Sequence, residues 1–358
     1  MSSPTVIKKE TKNRIRVDYE GKLSFKEKFT KKLKASRTWI RMAVNFCRFI
    51  LMLGVSYVIL YPFIAYIAGS FMPIEDIGNP LVALIPKHPT LNLYKTIALE
   101  NDYLSAFVDT LWISLTSALL QTFIACLVGY GLSKFKFKGN KLVMVLVVFT
   151  MIIPPIAIES AMMQHFVGFD LFHVFAWNYK GPIEAITGSA IQIAGTPIPI
   201  FLLAVTGLAF KNGLYIYLMR QFFKGVPDEL EESAYVDGAN TFRTFFQIII
   251  PLSIPMMITI FLFSFSWQWT DTFYFETAYQ YGGVLPEGAT LNMSYFVRVP
   301  KSLVEQYGTV GSEHYAWGAY EPVITNTAAM MAIAPLIIMY LFCQRYLVQG
   351  IERSGLVG

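Results

Sequence analysis

Six stretches of mostly apolar residues constrain the fold of this 358-residue chain more than any other feature. An α-helix rises about 1.5 Å per residue, so about twenty residues cross the apolar core of a bilayer. Hydrophobic residues make up 54% of the chain and charged residues 15%, which leaves too little polar surface for a soluble protein of this size. The sequence therefore predicts an all-α, polytopic membrane protein. The expected spans lie near residues 49–71, 108–132, 142–160, 197–220, 252–271 and 323–343.

The distribution of basic residues predicts the orientation of these spans. The tail that ends at Arg48 holds 14 of the 29 lysines and arginines, the segment from Lys134 to Lys141 holds four, and residues 220–250 hold three. The three loops on the opposite side share five. Short loops rich in lysine and arginine stay in the cytosol, so both termini are expected there. The first span lacks a small-x-small cleavage site, which indicates an anchor and not a signal peptide.

Several kinds of chemistry are not indicated by the sequence. A P-loop needs a glycine-rich turn that closes on Gly-Lys-Ser/Thr, but the only Gly-Lys pair, Gly21 and Lys22, is followed by Leu23. The three cysteines lie in or beside the spans and the four histidines are scattered, so neither a disulfide framework nor a metal site is expected. The chain is therefore expected to be no enzyme, to hold no cofactor of its own and to bind no nucleic acid.

A polar, acidic segment separates the fourth and fifth spans. Pro227 favours a helix start, and the acidic residues after it place negative charge where the helix dipole is positive. Asp237 and Gly238 then end that helix, because glycine adopts the left-handed conformation cheaply. Helical spacing resumes from about Asn240, and Pro251 marks the return to the membrane. The pattern predicts a helix-turn-helix that docks against another protein; a well-capped ordinary loop is the alternative.

This segment resembles the coupling loop, or EAA loop, of permease subunits in binding-protein-dependent ABC importers. The family pattern is Glu-Ala-Ala, three residues, Gly, nine residues and Ile-x-Leu-Pro; here serine replaces the first alanine and isoleucine replaces the leucine. The resemblance implies that the loop couples this chain to a separate ATPase. The residues expected to do so are Glu232, Ser233, Ala234, Asp237, Gly238, Ala239, Ile248 and Pro251.

The C-terminal part is similar to permeases of the carbohydrate type, especially the smaller maltose-type subunit. The similarity lies in Asn326–Pro335, in Gln344–Gly350 and in Trp269–Asp271, where Thr270 replaces the asparagine of the family's Trp-Asn-Asp. With the coupling loop, the resemblance covers residues 105–358. It implies a MetI-like permease core that works by alternating access and forms half of the translocation path for a sugar or oligosaccharide.

The resemblance also implies the partners. The chain would pair with a homologous second permease, with two ATPase subunits that bind ATP and Mg, and with an extracytoplasmic solute-binding protein, in the plasma membrane of a prokaryote. Alternatives are the same machinery for a polyamine, phosphate or peptide, an ion-driven secondary transporter, and a membrane scaffold without transport. An ion-driven transporter needs acidic relays inside its spans, whereas Asp109, Glu159 and Asp271 lie only near span ends.

Six residues are expected to line the translocation path. Aromatic faces stack on sugar rings while amide and carboxylate groups bind hydroxyls, so the end of the fifth span suits a sugar; an interfacial aromatic belt is the alternative. Asp271 is expected to point into the path, and Trp269 to lie against lipid or the partner permease. Lys211 either lines the path, pairs with a partner carboxylate or snorkels to the interface. The expected path residues are Lys211, Trp267, Gln268, Trp269, Asp271 and Asn326.

The remaining expectations concern domain boundaries. The expected domains are a basic tail (1–48), a first span with its outer loop (49–104), a permease domain (105–346) that contains the coupling loop (224–251), and a C-terminal tail (347–358).

Two kinds of segment outside the spans have open alternatives. In the tail, the capping box Ser24–Glu27 precedes apolar residues at helical spacing, which indicates either a basic helix on the anionic inner leaflet or a solvated, disordered tail. The long outer loops 161–196 and 272–321 either dock the solute-binding protein or pack as a cap.

Pro154 and Pro155 interrupt the third span, at a cavity-facing bend or at a packed interface.

Overall fold

The computed structural model divides the chain into two compact units, residues 1–68 and residues 69–358. The residues that it describes are 7–10, 16–19, 36–77, 79, 81–82, 84–170, 182–209, 211–279, 293–307 and 314–355.

The first unit contains two short strands and most of one long helix. Strands β1 (Ile7–Glu10) and β2 (Arg16–Tyr19) pair antiparallel, with Ile7 opposite Tyr19. Helix α1 (Ser36–Ser70) is apolar, and its large side chains from Trp39 onward are exposed, as expected for a helix surrounded by lipid. The capping box and amphipathic helix predicted for the tail lie outside the described residues.

The second unit consists of helices. The helices in chain order are α2 (Ile74–Ile77), α3 (Asn92–Glu100), α4 (Tyr103–Lys134), α5 (Asn140–Ile152), α6 (Glu159–Val167), α7 (Pro182–Thr187), α8 (Ile198–Thr206), α9 (Asn212–Lys224), α10 (Glu229–Val236), α11 (Thr241–Thr244), α12 (Ile250–Trp269), α13 (Phe273–Tyr279), α14 (Met293–Phe296), α15 (Lys301–Tyr307) and α16 (His314–Gly355). A π-helical turn, Phe245–Ile249, joins α11 to α12 without a break.

Four helices are long and apolar enough to cross a membrane. They correspond to the first, second, fifth and sixth predicted spans, each of which is longer in the structure than the sequence indicated. The four segments are Trp39–Ser70, Tyr103–Lys134, Thr241–Trp269 and Trp317–Leu347.

The third and fourth predicted spans are not continuous helices. The interruption of the third span at its proline pair was predicted, whereas the break in the fourth span was not. Helix α5 ends at Ile152, and a 3₁₀ turn begins at Pro155, because neither proline of the pair can donate a backbone hydrogen bond. Helix α8 ends at Gly207, whose φ of 75° is left-handed, and α9 begins after Lys211, whose φ is 68°. The fourth span is therefore two half-length helices joined by a short turn.

Helix α4 forms the centre of the second unit, where it packs against α8, α9 and α12. Small residues permit the closest approaches between the helix backbones. A β-carbon at Gly129 of α4 would lie 2.6 Å from Cβ of Met219 on α9, and one at Gly213 would lie 2.5 Å from Oγ1 of Thr150 on α5. Glycine at both positions lets the helix backbones come together, as is common between helices in membranes.

Helix α16 contains Pro335, which removes one donor from its hydrogen-bond ladder. The residue four positions earlier, Met331, has a backbone carbonyl that accepts a hydrogen bond of 3.4 Å from the hydroxyl of Tyr103 on α4. A carbonyl freed inside an apolar environment needs such a partner. This contact ties α16 to α4, beside a second core cluster that includes Ile97, Trp269 and Ile324.

Candidate functional site

Two features of the second unit contain most of the site residues predicted from the sequence: the segment between α9 and α12, and a polar cavity near the end of α12. The first is a helix-turn-helix. Helix α10 ends in a Schellman motif, in which the amide of Gly238 donates to the carbonyl of Tyr235 (3.0 Å) and the amide of Ala239 donates to that of Ala234 (2.9 Å). Gly238 has a φ of 80°, so glycine is at the position that requires the left-handed conformation.

The second helix of the segment begins at Thr241. The side chain of Asn240 accepts a hydrogen bond of 2.8 Å from the amide of Arg243, which satisfies one free donor at the helix start. The helix then widens into the π-helical turn just before Pro251, which cannot donate to the carbonyl of Gln247. The chain therefore enters α12 as one uninterrupted helix.

The predicted coupling residues lie in two environments. Glu232, Ser233, Asp237, Gly238 and Pro251 are exposed, whereas Ala234 is buried and Ala239 and Ile248 are half-buried. Large apolar side chains are exposed in the same segment, with Val236 88% and Phe242 75% accessible. Exposed apolar residues among acidic ones are typical of a surface that another protein covers.

Sequence reasoning missed the contacts that hold α10 against the end of α4. The hydroxyl of Tyr130 donates a hydrogen bond of 2.9 Å to Oε2 of Glu231, and Nζ of Lys134 lies 3.6 Å from the other carboxylate oxygen of Glu231. Both Glu231 and the Lys134 side chain are 8% exposed. A buried carboxylate is costly unless it is paired, and these two residues supply the partners.

Lys134 also binds the residues at the start of α10. Its ammonium donates to the carbonyl of Val226 (2.6 Å) and to the carboxylate of Asp228 (2.5 Å). The hydrogen bond from Lys134, and then the charge of that lysine, lower the pKa of Asp228. The sequence contains a signal for these contacts, because Tyr130 and Lys134 are four residues apart on α4 and Asp228 and Glu231 are three apart at α10. It gives no reason to pair the two helices.

The second feature is a cavity of about 260 Å³ beside the C-terminal half of α12. It brings together four of the six predicted path residues. The lining residues are Gln121, Pro155, Lys211, Ser264, Trp267, Gln268, Thr270, Asp271, Thr272, Phe273 and Tyr274. The break after α5, the break before α9 and the end of α12 therefore meet at one place, and a helix interruption at membrane depth is tolerated where it lines a cavity.

Polar contacts order the cavity wall. The hydroxyl of Ser264 donates a hydrogen bond of 2.9 Å to Oε1 of Gln121, which joins α12 to α4. The ammonium of Lys211 lies 4.4 Å from the centre of the Trp267 ring, a cation–π contact. Trp267 is 57% exposed, so much of its ring remains accessible.

Asp271 lines the cavity but also has a structural role. Its carboxylate oxygens accept hydrogen bonds from the backbone amides of Tyr274 (3.3 Å) and Phe275 (3.2 Å) at the start of α13. The hydroxyl of Ser294 donates to its backbone carbonyl (3.2 Å). Asp271 therefore holds the turn between α12 and α13 and the segment around α14 in place.

Trp269 and Asn326 are not at the cavity. Trp269 is 1% exposed, its Nε1 donates a hydrogen bond of 2.9 Å to the carbonyl of Ala332, and its ring stacks on Phe265 at 5.5 Å. The expectation that Trp269 faces the path, lipid or a partner permease is therefore wrong, because this face of α12 packs against α16. Asn326 lies half-buried on α16 and is not among the residues that line the cavity.

Comparison with known proteins relates these features to permeases. The chain is 26% identical over 327 residues to the galactooligosaccharides transport system permease protein GanQ of Bacillus subtilis (strain 168), covering 90% of this chain and 98% of the relative. It is 26% identical over 304 residues to the polygalacturonan/rhamnogalacturonan transport system permease protein YtcP of the same organism, covering 83% and 92%.

A solved structure shares the fold. It is a chain from the crystal structure of a bacterial ABC transporter involved in the import of the acidic polysaccharide alginate, with a TM-score of 0.61, 20% identity, and coverage of 87% of this chain and 98% of that chain. The predicted helical, multi-pass permease fold is confirmed by this likeness, and the two short strands of the tail are the part of the described chain that differs from an all-α fold. Residues 121–353, a segment that contains the helix-turn-helix, the cavity and the helices around them, match the family described as binding-protein-dependent transport system inner membrane component, and the chain belongs to that family.

Proposed function

We propose that this chain is the permease subunit of an ABC importer for a sugar or oligosaccharide, in which it forms half of the translocation path. The observation that carries the proposal is the helix-turn-helix with its Schellman motif, in a member of the binding-protein-dependent transport family. Buried contacts hold this helix-turn-helix against α4, and it exposes acidic and apolar residues. The sugar assignment is supported by relatives whose names specify galactooligosaccharides and polygalacturonan/rhamnogalacturonan, over most of their length.

The helix-turn-helix is the coupling element in this proposal. Glu232, Val236 and Phe242 supply exposed charge and apolar surface for an ATPase subunit to cover. Two such ATPase subunits bind and hydrolyse ATP with Mg. This chain changes conformation in response and hydrolyses no ATP. When the ATPases close, displacement of α10 passes to α4 through Tyr130 and Lys134.

The cavity is the part of the path that this chain contributes. Gln121, Ser264 and Gln268 offer amide and hydroxyl groups that both donate and accept, which suits the hydroxyls of a sugar. Trp267 offers an accessible aromatic face of the kind that packs against the C–H side of a sugar ring. A second, homologous permease completes the path on the other side.

The remaining partners follow from this assignment. An extracytoplasmic solute-binding protein delivers the sugar to the outer loops, residues 161–196 and 272–321, parts of which lie outside the described residues. Both termini and the coupling loop face the cytosol of a prokaryotic cell, as the distribution of basic residues favours.

Reconstitution tests the proposal directly. The chain is co-expressed with the permease, ATPase and binding protein encoded beside it, purified in mild detergent and placed in lipid vesicles that contain ATP. We expect the ATPase to co-purify, and labelled oligosaccharide uptake to require ATP, Mg and the binding protein. Uptake of a polyamine, phosphate or a peptide under the same conditions, with no sugar uptake, would instead assign the same machinery to another solute.

A further inference from the structure

The polar cavity contains a cation that the described part of the chain does not neutralise. Lys211 lines the cavity, and no carboxylate oxygen of a described residue lies within 4.0 Å of its ammonium; the described ion pairs involve Lys134 alone. The contact that its ammonium makes is with the Trp267 ring. A lysine in a membrane-spanning segment is costly unless it faces protein, water or a counter-charge. The exposure of Lys211 at the cavity meets that condition but does not explain why the residue is a lysine.

Local structure does not supply that explanation. Lys211 immediately precedes α9, where the partial positive charge of the helix N-terminus makes a cation unfavourable. Its φ of 68° is a conformation that a β-carbon penalises, and four residues earlier the same chain uses Gly207 for a similar turn. Neither the backbone nor the helix dipole favours lysine at this position.

The acidic residue that lines the cavity forms no ion pair with Lys211 among the described contacts. Asp271 lines the same cavity, but its two carboxylate oxygens accept the backbone amides of Tyr274 and Phe275. That carboxylate is therefore used to hold the start of α13. The oxygens of Asp271 are thus occupied by backbone donors, whereas the ammonium of Lys211 has no described carboxylate in contact and can pair with a ligand that brings a negative charge.

We propose that this cavity takes a sugar that carries a carboxylate, such as a uronic acid residue of an oligosaccharide, and that Lys211 is its specificity-determining residue. The inference rests on the proposed function in sugar import. Gln268 and the pair formed by Gln121 and Ser264 meet the hydroxyls, Trp267 meets the ring, and the ammonium of Lys211 meets the carboxylate. A polyamine does not suit the site, because its charge has the same sign as that of Lys211.

The test compares two trisaccharides that differ in the carboxylates. The complete complex, with its own binding protein, is reconstituted in vesicles, and uptake of trigalacturonate and of neutral galactotriose is measured at saturating binding protein. The variant Lys211→Met keeps most of the apolar stem and removes the charge, and Lys211→Arg keeps the charge. The matched control is Lys95→Met, which removes an exposed positive charge on α3, away from the cavity.

We expect the wild-type complex to import trigalacturonate. Lys211→Met is expected to lower that uptake on the order of tenfold or more, because a hydrogen bond to a charged group is lost, while uptake of galactotriose is unchanged or higher. Lys211→Arg and Lys95→Met are expected to retain trigalacturonate uptake. The amount of complex purified from each variant establishes that assembly is intact.

Each contrary result has a distinct meaning. If the wild-type complex imports galactotriose but no trigalacturonate, this inference is wrong and the proposed function stands. If Lys211→Met lowers uptake of both sugars equally, or prevents the second permease from co-purifying, Lys211 has a general or partner-binding role and the inference is also wrong. If neither these nor other sugars are imported while the assembled complex hydrolyses ATP, the proposed function itself fails.

Discussion

The hydroxyl of Tyr130 donates a 2.9 Å hydrogen bond to the buried carboxylate of Glu231, and this contact joins the end of the central helix α4 to α10, the first helix of the helix-turn-helix. Lys134, one turn further along α4, lies 3.6 Å from the same carboxylate. The position of α10 therefore depends on α4 directly and not only on the chain connection through α9.

Breaking this contact is expected to uncouple ATP hydrolysis from uptake. Glu231→Ala leaves the ammonium of Lys134 without its buried partner, whereas Glu231→Gln keeps an acceptor for Tyr130 and removes the charge. We expect sugar uptake per ATP hydrolysed to fall several-fold in Glu231→Ala and less in Glu231→Gln. Vesicle uptake and phosphate release, measured on the same preparation, give this ratio.

The control for Glu231 lies on the same helix. Glu229→Ala removes an exposed carboxylate from the first turn of α10, and the ratio is expected to stay near that of the wild type. A ratio in Glu231→Ala equal to that of this control would contradict a role of the buried contact in coupling.

Gly238 offers a second test of the coupling segment. A β-carbon at this position meets no atom within 4 Å, so the backbone conformation and not crowding decides the effect of a substitution. At a φ of 80°, Gly238→Val costs about 1–2 kcal/mol or more, while asparagine tolerates the left-handed region better. Uptake is expected to fall strongly in Gly238→Val and only modestly in Gly238→Asn, with the complex still inserted. Equal uptake in the two variants would mean that the Schellman turn is not needed.

The two tryptophans near the end of α12 are expected to respond differently to truncation. Trp269 is buried with a satisfied Nε1, so Trp269→Ala is expected to destabilise the fold by about 3–5 kcal/mol. Trp267→Ala removes an exposed ring and is expected to leave stability nearly unchanged while it lowers sugar uptake. Thermal unfolding of the purified complexes separates the two, and a similar loss of stability in both variants would contradict the assigned environments.

Asp271 is expected to tolerate an amide in part. Its two carboxylate oxygens each accept a backbone amide at the start of α13, whereas asparagine has one carbonyl oxygen and an NH2 group that only donates, so it keeps one of the two hydrogen bonds. Asp271→Asn is therefore expected to retain part of the uptake, whereas Asp271→Ala loses both hydrogen bonds, about 1 kcal/mol or more of local stability, and lowers uptake further. Loss of uptake in Asp271→Asn with unchanged thermal stability would instead indicate that the negative charge contacts the sugar.

Helix length and turn chemistry made much of the fold predictable. Four spans follow from long apolar runs, and the turn at Gly238 follows from the left-handed conformation that glycine alone adopts without cost. The fourth span was predicted as one helix, because residues 197–220 are mostly apolar and composition alone does not show that Gly207 and Lys211 adopt the left-handed conformation.

The contacts between helices could not be predicted from a single sequence. The pairing of Tyr130 with Glu231 joins residues about a hundred positions apart, and local periodicity carries no information about it. The environment of Trp269 depends on which side of α12 faces α16, and a helix that is apolar on all sides does not specify this rotation. For the cavity, the residue types predicted groups that bind sugar hydroxyls and rings. The breaks after α5 and before α9 determine which of the predicted residues meet there.

The close approach of Gly129 to Met219 holds α9 against the part of α4 that contacts α10. Two helices whose backbones meet without an intervening side chain do not slide past each other easily, so we expect α4 and α9 to move together when Glu231 displaces Tyr130. Gln121 lies nine residues back along α4, about 13 Å at 1.5 Å per residue. Under the proposed function, we therefore expect a tilt of α10 to displace Gln121 at the wall of the cavity.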